Sequence, residues 1–236
     1  MPITTILLDL DDTLITVSMR QFAPAYLDAL GQALSRFAPP RQVAAVVLRA
    51  TQAMQANTDP DVSNYEAFYQ AFLPLLEVTH DEIQPVIDRF YREEYPKLRC
   101  YVTPRPQARK LAAYLTGSDY QIVIATHPIF PLTAIRQRMD WGGVLDFPYA
   151  LITAMETAHF SKPNPAYYQE ILGQLKVSPA QALMVGDDPE NDIAPAHRLG
   201  LKTWRITDRS GPVSLPVANH QGTLAEFYER VKAEEW

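Results

Sequence analysis

The sequence lacks the features of several large classes of protein. It contains a single cysteine among 236 residues, so no disulfide can form within the chain. No apolar run approaches the roughly 20 residues that a membrane-spanning helix needs. The first residues also lack the basic region and long apolar stretch of a signal peptide. We therefore expect a cytoplasmic protein with no membrane partner.

An excess of positive charge is also missing. The 21 Lys and Arg residues are outnumbered by 27 Asp and Glu residues, which gives a formal net charge of −6. Affinity for the nucleic-acid backbone depends on clustered Lys and Arg, so we expect no nucleic-acid partner. The charge does not argue against a small anionic ligand, because a few local groups can hold one.

Neither histidine nor cysteine forms a recognisable site in the sequence. The five histidines show no spacing typical of zinc ligands. Cys100 has no activating base near it, and free cysteines are usually buried. We therefore expect Cys100 to be a packing residue rather than a nucleophile.

Short apolar segments that end in turn residues predict strands. These segments lie at residues 3–10, 121–126, 149–153, 182–186 and 202–206. Helical periodicity predicts helices near residues 105–116, 130–140, 165–176, 192–199 and 224–234. Strands that alternate with helices in this way imply a parallel sheet covered on both faces.

Residues from about 18 to 97 follow a different pattern. Four helices are predicted there, near residues 19–37, 41–56, 64–76 and 80–95, without a comparable strand signal. The predicted fold class is therefore α/β, with a Rossmann-like parallel-sheet core interrupted by an all-helical cap. The core comprises residues 1–14 and 101–236, and the cap comprises residues 15–100. The sequence carries no signal for an oligomeric state.

Two aspartates, Asp9 and Asp11, follow the first predicted strand. Side chains alternate along an extended backbone, so both carboxylates can point toward one site. Two acids this close repel each other, and the pair then needs a cation, a proton or both. The pair suits a nucleophile with a general acid and base, although Asp residues also commonly end strands and begin turns.

Two further polar positions lie at the ends of predicted elements. Thr126 closes the strand at 121–126 and is followed by His127. A hydroxyl with adjacent backbone donors can hold a phosphate oxygen, although Thr ends many strands. Lys162 precedes the helix at 165–176, which is the unfavourable end of a helix for a cation. That position indicates a role outside the helix, although a solvated lysine is also consistent with it.

Acidic residues are concentrated after the strand at 182–186. Asp187 and Asp192 belong to the segment Gly-Asp-Asp-Pro-Glu-Asn-Asp, which starts at Gly186. Hard carboxylate oxygens in this arrangement suit Mg²⁺, which keeps several waters and binds few carboxylates. An acidic turn without a metal is the alternative for this segment alone.

The four clusters, in this order along the chain, resemble the motifs of the haloacid dehalogenase-like hydrolase superfamily, and specifically of its phosphatase branch. The matching residues are Asp9, Asp11 and Thr13 in motif one, Thr126 in motif two, Lys162 and Pro163 in motif three, and Gly186, Asp187 and Asp192 in motif four. The resemblance covers essentially the whole chain, including a helical cap between motifs one and two. The family often has Gly where this chain has Asp12, and commonly has Asn where it has His127.

The resemblance implies a phosphatase that acts on a small phosphorylated metabolite. Asp9 would attack phosphorus, and Asp11 would protonate the leaving oxygen and then activate the water that hydrolyses the aspartyl phosphate. Thr126, His127 and Lys162 would bind the phosphoryl group, with Thr126 and Lys162 stabilising its transfer.

The resemblance also implies Mg²⁺ as the cofactor. The ion would be bound by the Asp9 carboxylate, the Asp11 backbone carbonyl and Asp187, with Asp192 supporting its waters or Lys162. At the start of the predicted cap, Arg20, Phe22 and Tyr26 lie near the expected substrate mouth and are candidates for substrate contacts.

Three alternative functions stay open at this point. A 2-haloacid dehalogenase shares the scaffold, but that branch lacks the second aspartate of motif one, which this chain has as Asp11. A sugar-phosphate mutase uses the same motifs and the same cap position. A phospho-accepting signalling module also phosphorylates an Asp at a parallel sheet, but such modules are about half this length and have no inserted cap.

Overall fold

The computed structural model describes residues 2–208 and 218–233. These residues form a six-stranded sheet flanked by helices, with a helical insertion after the first strand of the chain. The predicted α/β fold class is therefore confirmed. Within the described residues, no helix combines the length and the apolar character that crossing a membrane would require.

The main sheet is parallel throughout. In chain order, the strands of the structure are β1 Thr5–Leu8, β2 Ile15–Val17, β3 Val102–Pro104, β4 Gln121–Ile124, β5 Leu151–Ile152, β6 Ala182–Gly186, β7 Lys202–Ile206 and β8 His220–Gly222. The main sheet has the order β5-β4-β1-β6-β7-β8, and each neighbouring pair in it runs parallel. The carboxyl ends of β1, β4 and β6 therefore meet at one edge, where open α/β sheets bind ligands.

Helices connect these strands and form the insertion. They are α1 Met19–Ala33, α2 Pro40–Gln55, α3 Asn64–Leu76, α4 His80–Arg89, α5 Pro106–Thr116, α6 Leu132–Trp141, α7 Pro165–Leu175, α8 Ala194–Arg198 and α9 Leu224–Lys232. The π-helical turns Phe90–Glu94 and Pro189–Ile193 and the 3₁₀ segments Tyr95–Tyr101 and Pro179–Gln181 extend this set. The predicted last helix, at 224–234, runs to residue 232, and its residue 234 lies outside the described part of the chain.

The helical insertion begins and ends at a small antiparallel ladder. Strands β2 and β3 pair with Thr16 opposite Thr103, and α1 to α4 all lie between them along the chain. Neither strand was predicted from the sequence, and nor was β8, because three residues are too few to show an alternating pattern.

The core is divided by the sheet into two apolar layers. Along β1, Ile6 and Leu8 pack into one buried cluster, whereas Leu7 packs into the other. All three side chains are fully buried, and burial of an aliphatic side chain contributes about 1.5–3 kcal/mol. Burial of both faces explains why β1 is a continuous apolar run, and it holds the end of β1 rigidly at the centre of the sheet.

Cys100 does not have the expected packing role, because it is exposed. It lies in the 3₁₀ segment Tyr95–Tyr101, in which Tyr95 and Leu98 are the buried residues. Side chains three residues apart share one side of a 3₁₀ helix, so position 100 is turned away from the buried side.

Candidate active site

Three of the predicted site residues lie just beyond the central strands. Asp9 follows β1 directly, and its backbone N–H donates a hydrogen bond of 2.9 Å to the Val185 carbonyl of β6. Thr126 lies two residues beyond the end of β4, and Asp187 is the first residue after β6. Because β1 lies between β4 and β6, these residues are brought to the same edge of the sheet.

Lys162 joins two of the predicted acidic residues. Its Nζ donates to Asp9 Oδ1 at 2.9 Å and to Asp192 Oδ1 at 2.5 Å. The lysine side chain is only 2% exposed. Burial alone would lower the pKa of Lys162, but the carboxylates of Asp192 and Asp9 raise it well above its usual value. Lys162 is therefore a permanent buried cation that two carboxylates hold in place.

Three carboxylates converge around this lysine. Oxygen atoms of Asp9, Asp187 and Asp192 lie within 4.8 Å of one another. Burial, together with the charges of Asp9 and Asp192, raises the pKa of Asp187 to about 7. Within the described residues, the Asp187 carboxylate has no hydrogen bond or ion pair. Hard oxygen donors with mutual repulsion and one free carboxylate have the chemistry that binds a divalent cation such as Mg²⁺.

Both carboxylate oxygens of Asp192 accept hydrogen bonds. Besides the contact with Lys162, its Oδ2 accepts a hydrogen bond of 3.1 Å from the Asp188 backbone N–H. Burial raises the pKa of Asp192, and the ion pair with Lys162 opposes that shift. Asp192 thus contacts Lys162 and the backbone of the loop after β6 at the same time.

Gly186 allows Asp192 to approach this closely. A Cβ at position 186 would meet the Asp192 carboxyl group and Cβ, so any other residue there must displace one of the two segments. We expect Gly186→Ala to cost about 1–3 kcal/mol through overpacking. At roughly 2–4 °C per kcal/mol, Tm would fall by several degrees.

Gly173 provides the matched control for this prediction. It lies within α7, and a Cβ there would meet nothing within 4 Å. Gly173→Ala should leave Tm unchanged or raise it, because Ala favours a helix by about 1 kcal/mol over Gly. Equal Tm values for the two variants in thermal unfolding would contradict the close approach at Gly186.

Asp11 has a partner that the sequence analysis did not identify. Arg138 of α6 donates from Nη1 to Asp11 Oδ2 at 2.7 Å. The Arg138 side chain is 1% exposed, and that of Asp11 is 24% exposed. Burial raises the pKa of Asp11, and the Arg138 charge opposes the rise. The remaining Asp11 oxygen, Oδ1, is buried without a partner among the described residues.

The pattern of α6 contains a signal for Arg138. Ala134, Ile135 and Met139 are all buried, and position 138 falls on the same helical face at spacings of three and four residues. An arginine on an apolar face must find a carboxylate partner. No sequence rule identifies that partner as Asp11, because 127 positions separate the two residues.

Asp12 occupies a backbone conformation that favours glycine. Its φ is 59°, in the left-handed region, and the family that the motifs resemble often has Gly at this position. The Asp12 side chain accepts a hydrogen bond of 2.9 Å from the Val17 N–H. This bond ties the turn after β1 to strand β2, and it offsets part of the backbone strain.

Thr126 and His127 differ in what they offer to a ligand. Thr126 is buried, and its carbonyl accepts hydrogen bonds from Thr153 Oγ1 at 2.8 Å and from the Tyr167 hydroxyl at 2.9 Å. Its own hydroxyl makes no hydrogen bond within the described residues. His127 Nε2 lies 3.2 Å from Gln55 Nε2 of α2, so it joins the core to the insertion. Burial and the Lys162 charge lower the pKa of His127 to about 4, so the ring is neutral at pH 7.

Comparison with known proteins identifies the family. The family model described as haloacid dehalogenase-like hydrolase matches residues 3–200. The chain therefore belongs to the haloacid dehalogenase-like hydrolases, as the resemblance of the motifs predicted, and it is an enzyme of that hydrolase family.

Individual relatives are more distant. A curated ribulose-1,5-bisphosphate 5-phosphatase from Halopiger xanaduensis is 31% identical over 98 residues. That match covers 42% of this chain and only 40% of the relative. The structure of a 2-haloacid dehalogenase from Pseudomonas syringae matches with a TM-score of 0.66 at 19% identity, and the match covers 98% of this chain and 99% of the dehalogenase chain. A phosphatase from Thermococcus onnurineus has a TM-score of 0.60 at 19% identity, covering 97% and 98%. At these identities the two structures establish the shared fold alone.

Proposed function

We propose that this protein is a magnesium-dependent phosphatase that hydrolyses a small phosphorylated metabolite through an acyl phosphate formed on Asp9. The observation that carries the proposal is the pairing of Asp9 with a buried lysine, 2.9 Å away, at the end of the central strand. Lys162 holds the Asp9 carboxylate in place, and it provides a positive charge beside the position that a phosphoryl group would occupy.

The proposed reaction has two displacement steps. In the first, a carboxylate oxygen of Asp9 bonds to phosphorus, the phosphorus–ester oxygen bond breaks, and the leaving oxygen takes a proton from Asp11. In the second, water attacks the phosphorus of the acyl phosphate and gives its proton to Asp11. The bond between phosphorus and Asp9 then breaks, so that inorganic phosphate and the original carboxylate are restored.

The environment of Asp11 supports its use as both acid and base. Burial raises its pKa and favours the protonated form that the first step needs. The Arg138 guanidinium stabilises the carboxylate that remains after the proton has left. These opposite influences suit a carboxyl group that must release and recover a proton in each turnover.

Three further residues would hold the transferring group. Lys162 would neutralise the charge that spreads over the phosphoryl oxygens, and the Thr126 hydroxyl would donate a hydrogen bond. His127 is neutral at pH 7 and already contacts Gln55. We therefore assign His127 to a hydrogen bond with phosphate or substrate rather than to a charge interaction.

Asp9, Asp187 and the Asp11 carbonyl would bind the Mg²⁺, with Asp192 as support. When bound, the ion neutralises charge on the phosphoryl group. The convergence of three carboxylates within 4.8 Å supports the assignment. We further propose that residues 15–100 form a cap over the site, which the all-helical run from Met19 to Tyr101 between β2 and β3 supports.

A 2-haloacid dehalogenase is the second candidate, because such an enzyme shares the fold with a TM-score of 0.66. The buried pair of Asp11 and Arg138 argues for phosphate, since a leaving halide needs no proton donor. A panel of phosphate monoesters, including ribulose 1,5-bisphosphate, and a panel of 2-haloacids test the two functions directly. Release of inorganic phosphate with Mg²⁺ supports our proposal, whereas release of halide alone contradicts it.

The metal assignment predicts a change in stability. Ligand binding to the folded state alone stabilises by about 2.7 kcal/mol at 100 times the dissociation constant, and each kcal/mol shifts Tm by roughly 2–4 °C at this size. Saturating Mg²⁺ should therefore raise Tm by several degrees relative to EDTA. Phosphate should be released in saturating Mg²⁺ and not in EDTA.

The size of this shift should depend on pH. The pKa of Asp187 is raised to about 7 in the folded protein, above the value of about 4 for an unfolded Asp. The folded state thus retains a proton that the unfolded chain loses, and the metal-free protein loses stability as pH rises from about 4 to 7. Mg²⁺ should therefore raise Tm more at pH 8 than at pH 5.

Two variants test this pH dependence. Asp187→Asn should remove the increase in Tm that Mg²⁺ causes, and Asp119→Asn, at an exposed position, should keep it. An equal response in both variants would contradict the site.

A further inference from the structure

A cavity of about 430 Å³ lies between the helical insertion and the core. Its volume falls within the range of small-molecule sites. Helices α1 to α4 line it mostly with aromatic and aliphatic side chains, and the loop after β4 contributes Ile129 and Phe130. Phe22 and Tyr26, which the sequence analysis placed near the substrate mouth, are lining residues, whereas Arg20 is not.

Phe130 connects the cavity to the arginine that binds Asp11. The Arg138 guanidinium, which binds Asp11, lies 4.6 Å from the centre of the Phe130 ring, and Phe130 lines the cavity. The loop that carries Thr126 reaches the cavity three residues later, at Ile129. A substrate with its phosphate at Asp9 and its ester oxygen at Asp11 would therefore have its organic group directed toward the cavity.

The charges around the cavity disfavour a second anionic group. Among the described residues that line it, none is Lys or Arg, whereas Asp88 and Glu156 do line it. A second phosphate or a carboxylate would leave water without gaining a cation, and it would lie near two acidic groups. Such a transfer is strongly unfavourable.

Three tyrosine hydroxyls of the cavity wall are already paired within the protein. The hydroxyls of Tyr26 and Tyr91 lie 3.0 Å apart and share a hydrogen bond. The Tyr69 hydroxyl donates to Gln84 at 2.9 Å. A polyhydroxylated sugar would lose hydrogen bonds to water and find these partners engaged, which costs binding energy for each unsatisfied group.

We propose that this cavity binds the organic part of the substrate, and that the preferred substrates are phosphate monoesters of uncharged, largely apolar alcohols or phenols. The inference rests on the proposed phosphatase function and specifies its substrate class. Apolar surface that enters the cavity is removed from water, and each buried methylene group contributes about a fourfold gain in affinity.

A chain-length series tests the inference in the unmodified protein. With Mg²⁺, kcat/KM should rise from ethyl to butyl to hexyl phosphate, by on the order of tenfold or more overall. Phenyl phosphate should exceed a hexose phosphate and a hexose bisphosphate. If kcat/KM is flat along the series, or if the bisphosphate is the best substrate, the inference is overturned.

A pair of matched variants locates the effect in the cavity. Ala23 lines the cavity, whereas Ala45 is exposed on α2 and does not. Ala23→Phe should reduce the ratio of kcat/KM for hexyl phosphate to that for ethyl phosphate by about tenfold, and Ala45→Phe should leave the ratio unchanged. Equal ratios in both variants, with ethyl phosphate still hydrolysed, would overturn the cavity assignment and leave the phosphatase function standing. Hydrolysis of no phosphate ester at all would reject the proposed function itself.

Discussion

Replacing Asp9 with Asn should abolish phosphate release from every substrate. The amide cannot act as the attacking carboxylate, and the other carboxylate that contacts Lys162, that of Asp192, is held by Lys162 and by the Asp188 N–H. The residual rate should equal that of a reaction without enzyme. Circular dichroism and Tm of the variant should show that the fold is retained, since Asn keeps the shape of the side chain.

Asp11→Asn should have a different effect on the same reaction. The nucleophile remains, but the proton donor and the base that activates water are lost, and such assistance is worth about 10²–10⁴-fold. Steady-state turnover should fall by that factor. Aryl phosphates, whose leaving groups need little protonation, should retain a rapid first step.

Asp12→Asn is the matched control for these variants. Asp12 is adjacent to Asp11, and its side chain accepts the Val17 N–H, which an amide oxygen can also accept. Asn also tolerates a positive φ such as the 59° of Asp12. Turnover within a few-fold of the unmodified protein is expected. A loss as large as that of Asp11→Asn would show that the assay reports a general disturbance of the loop.

Replacing Lys162 with Met should cause the largest loss of stability. The change removes two ion pairs and leaves Asp9 and Asp192 buried without their cation. Breaking a buried pair on one side costs about 3–5 kcal/mol, which corresponds to a Tm lower by roughly 6–20 °C at this size. Because the folded pKa of Lys162 is raised, its contribution declines only as the pH rises from the unfolded pKa of about 10.4 through the folded one, and it is therefore unaffected by Lys162 deprotonation throughout the neutral range.

Two observations would test this interpretation of Lys162. Lys110→Met, at an exposed position of α5, should change Tm by less than a degree or two. Lowering the pH should recover part of the Lys162→Met loss, because the carboxylates left unpaired can then be protonated. A Lys162→Met protein with an unchanged Tm would contradict the buried ion pairs.

Where the sequence carried strong periodic signals, it predicted the fold correctly. Strands 182–186 and 202–206 were predicted with the bounds that the structure has, because clear turn signals on both sides of an apolar run determine where the strand begins and ends. Helix ends were less accurate. The helix predicted at 19–37 ends at residue 33. The prediction ran too far because residues 34–37 contain no glycine that would mark the end of a helix. The predicted helix at 192–199 is a π-helical turn followed by α8.

A Ser or Thr followed three residues later by Glu or Gln predicts a helix start, and the sequence has this pattern at Ser18, Ser63, Thr79 and Thr223. At Ser63 and Thr223 the side chains of Glu66 and Glu226 accept hydrogen bonds from the backbone, as the pattern predicts. At Ser18 the same spacing yields only a bond between the Ser18 hydroxyl and the Gln21 side chain. The Ser18 backbone N–H instead donates to the Tyr101 carbonyl. A tertiary contact across the ladder of β2 and β3 thus replaces the local one.

The residues of the candidate site were also predicted only in part. Motif positions were predictable because chain order and strand ends determine which residues share the sheet edge. Arg138 was not predicted, because a pairing over 127 positions depends on how α6 packs against the site. The apolar cavity was not predicted either, because its wall combines four helices of the insertion with a loop of the core. Long-range packing of this kind has no local signature.

The most direct test of the proposed mechanism is the detection of phosphate bound to Asp9. Asp11→Asn should be mixed rapidly with an aryl phosphate and Mg²⁺, and then quenched in acid. We predict a pre-steady-state burst of phenol and a mass increase of one phosphoryl group on the peptide that contains Asp9. The double variant with Asp9→Asn should show neither. Full steady-state turnover by Asp11→Asn, or a phosphoryl group on a His or Ser peptide, would contradict the proposed mechanism.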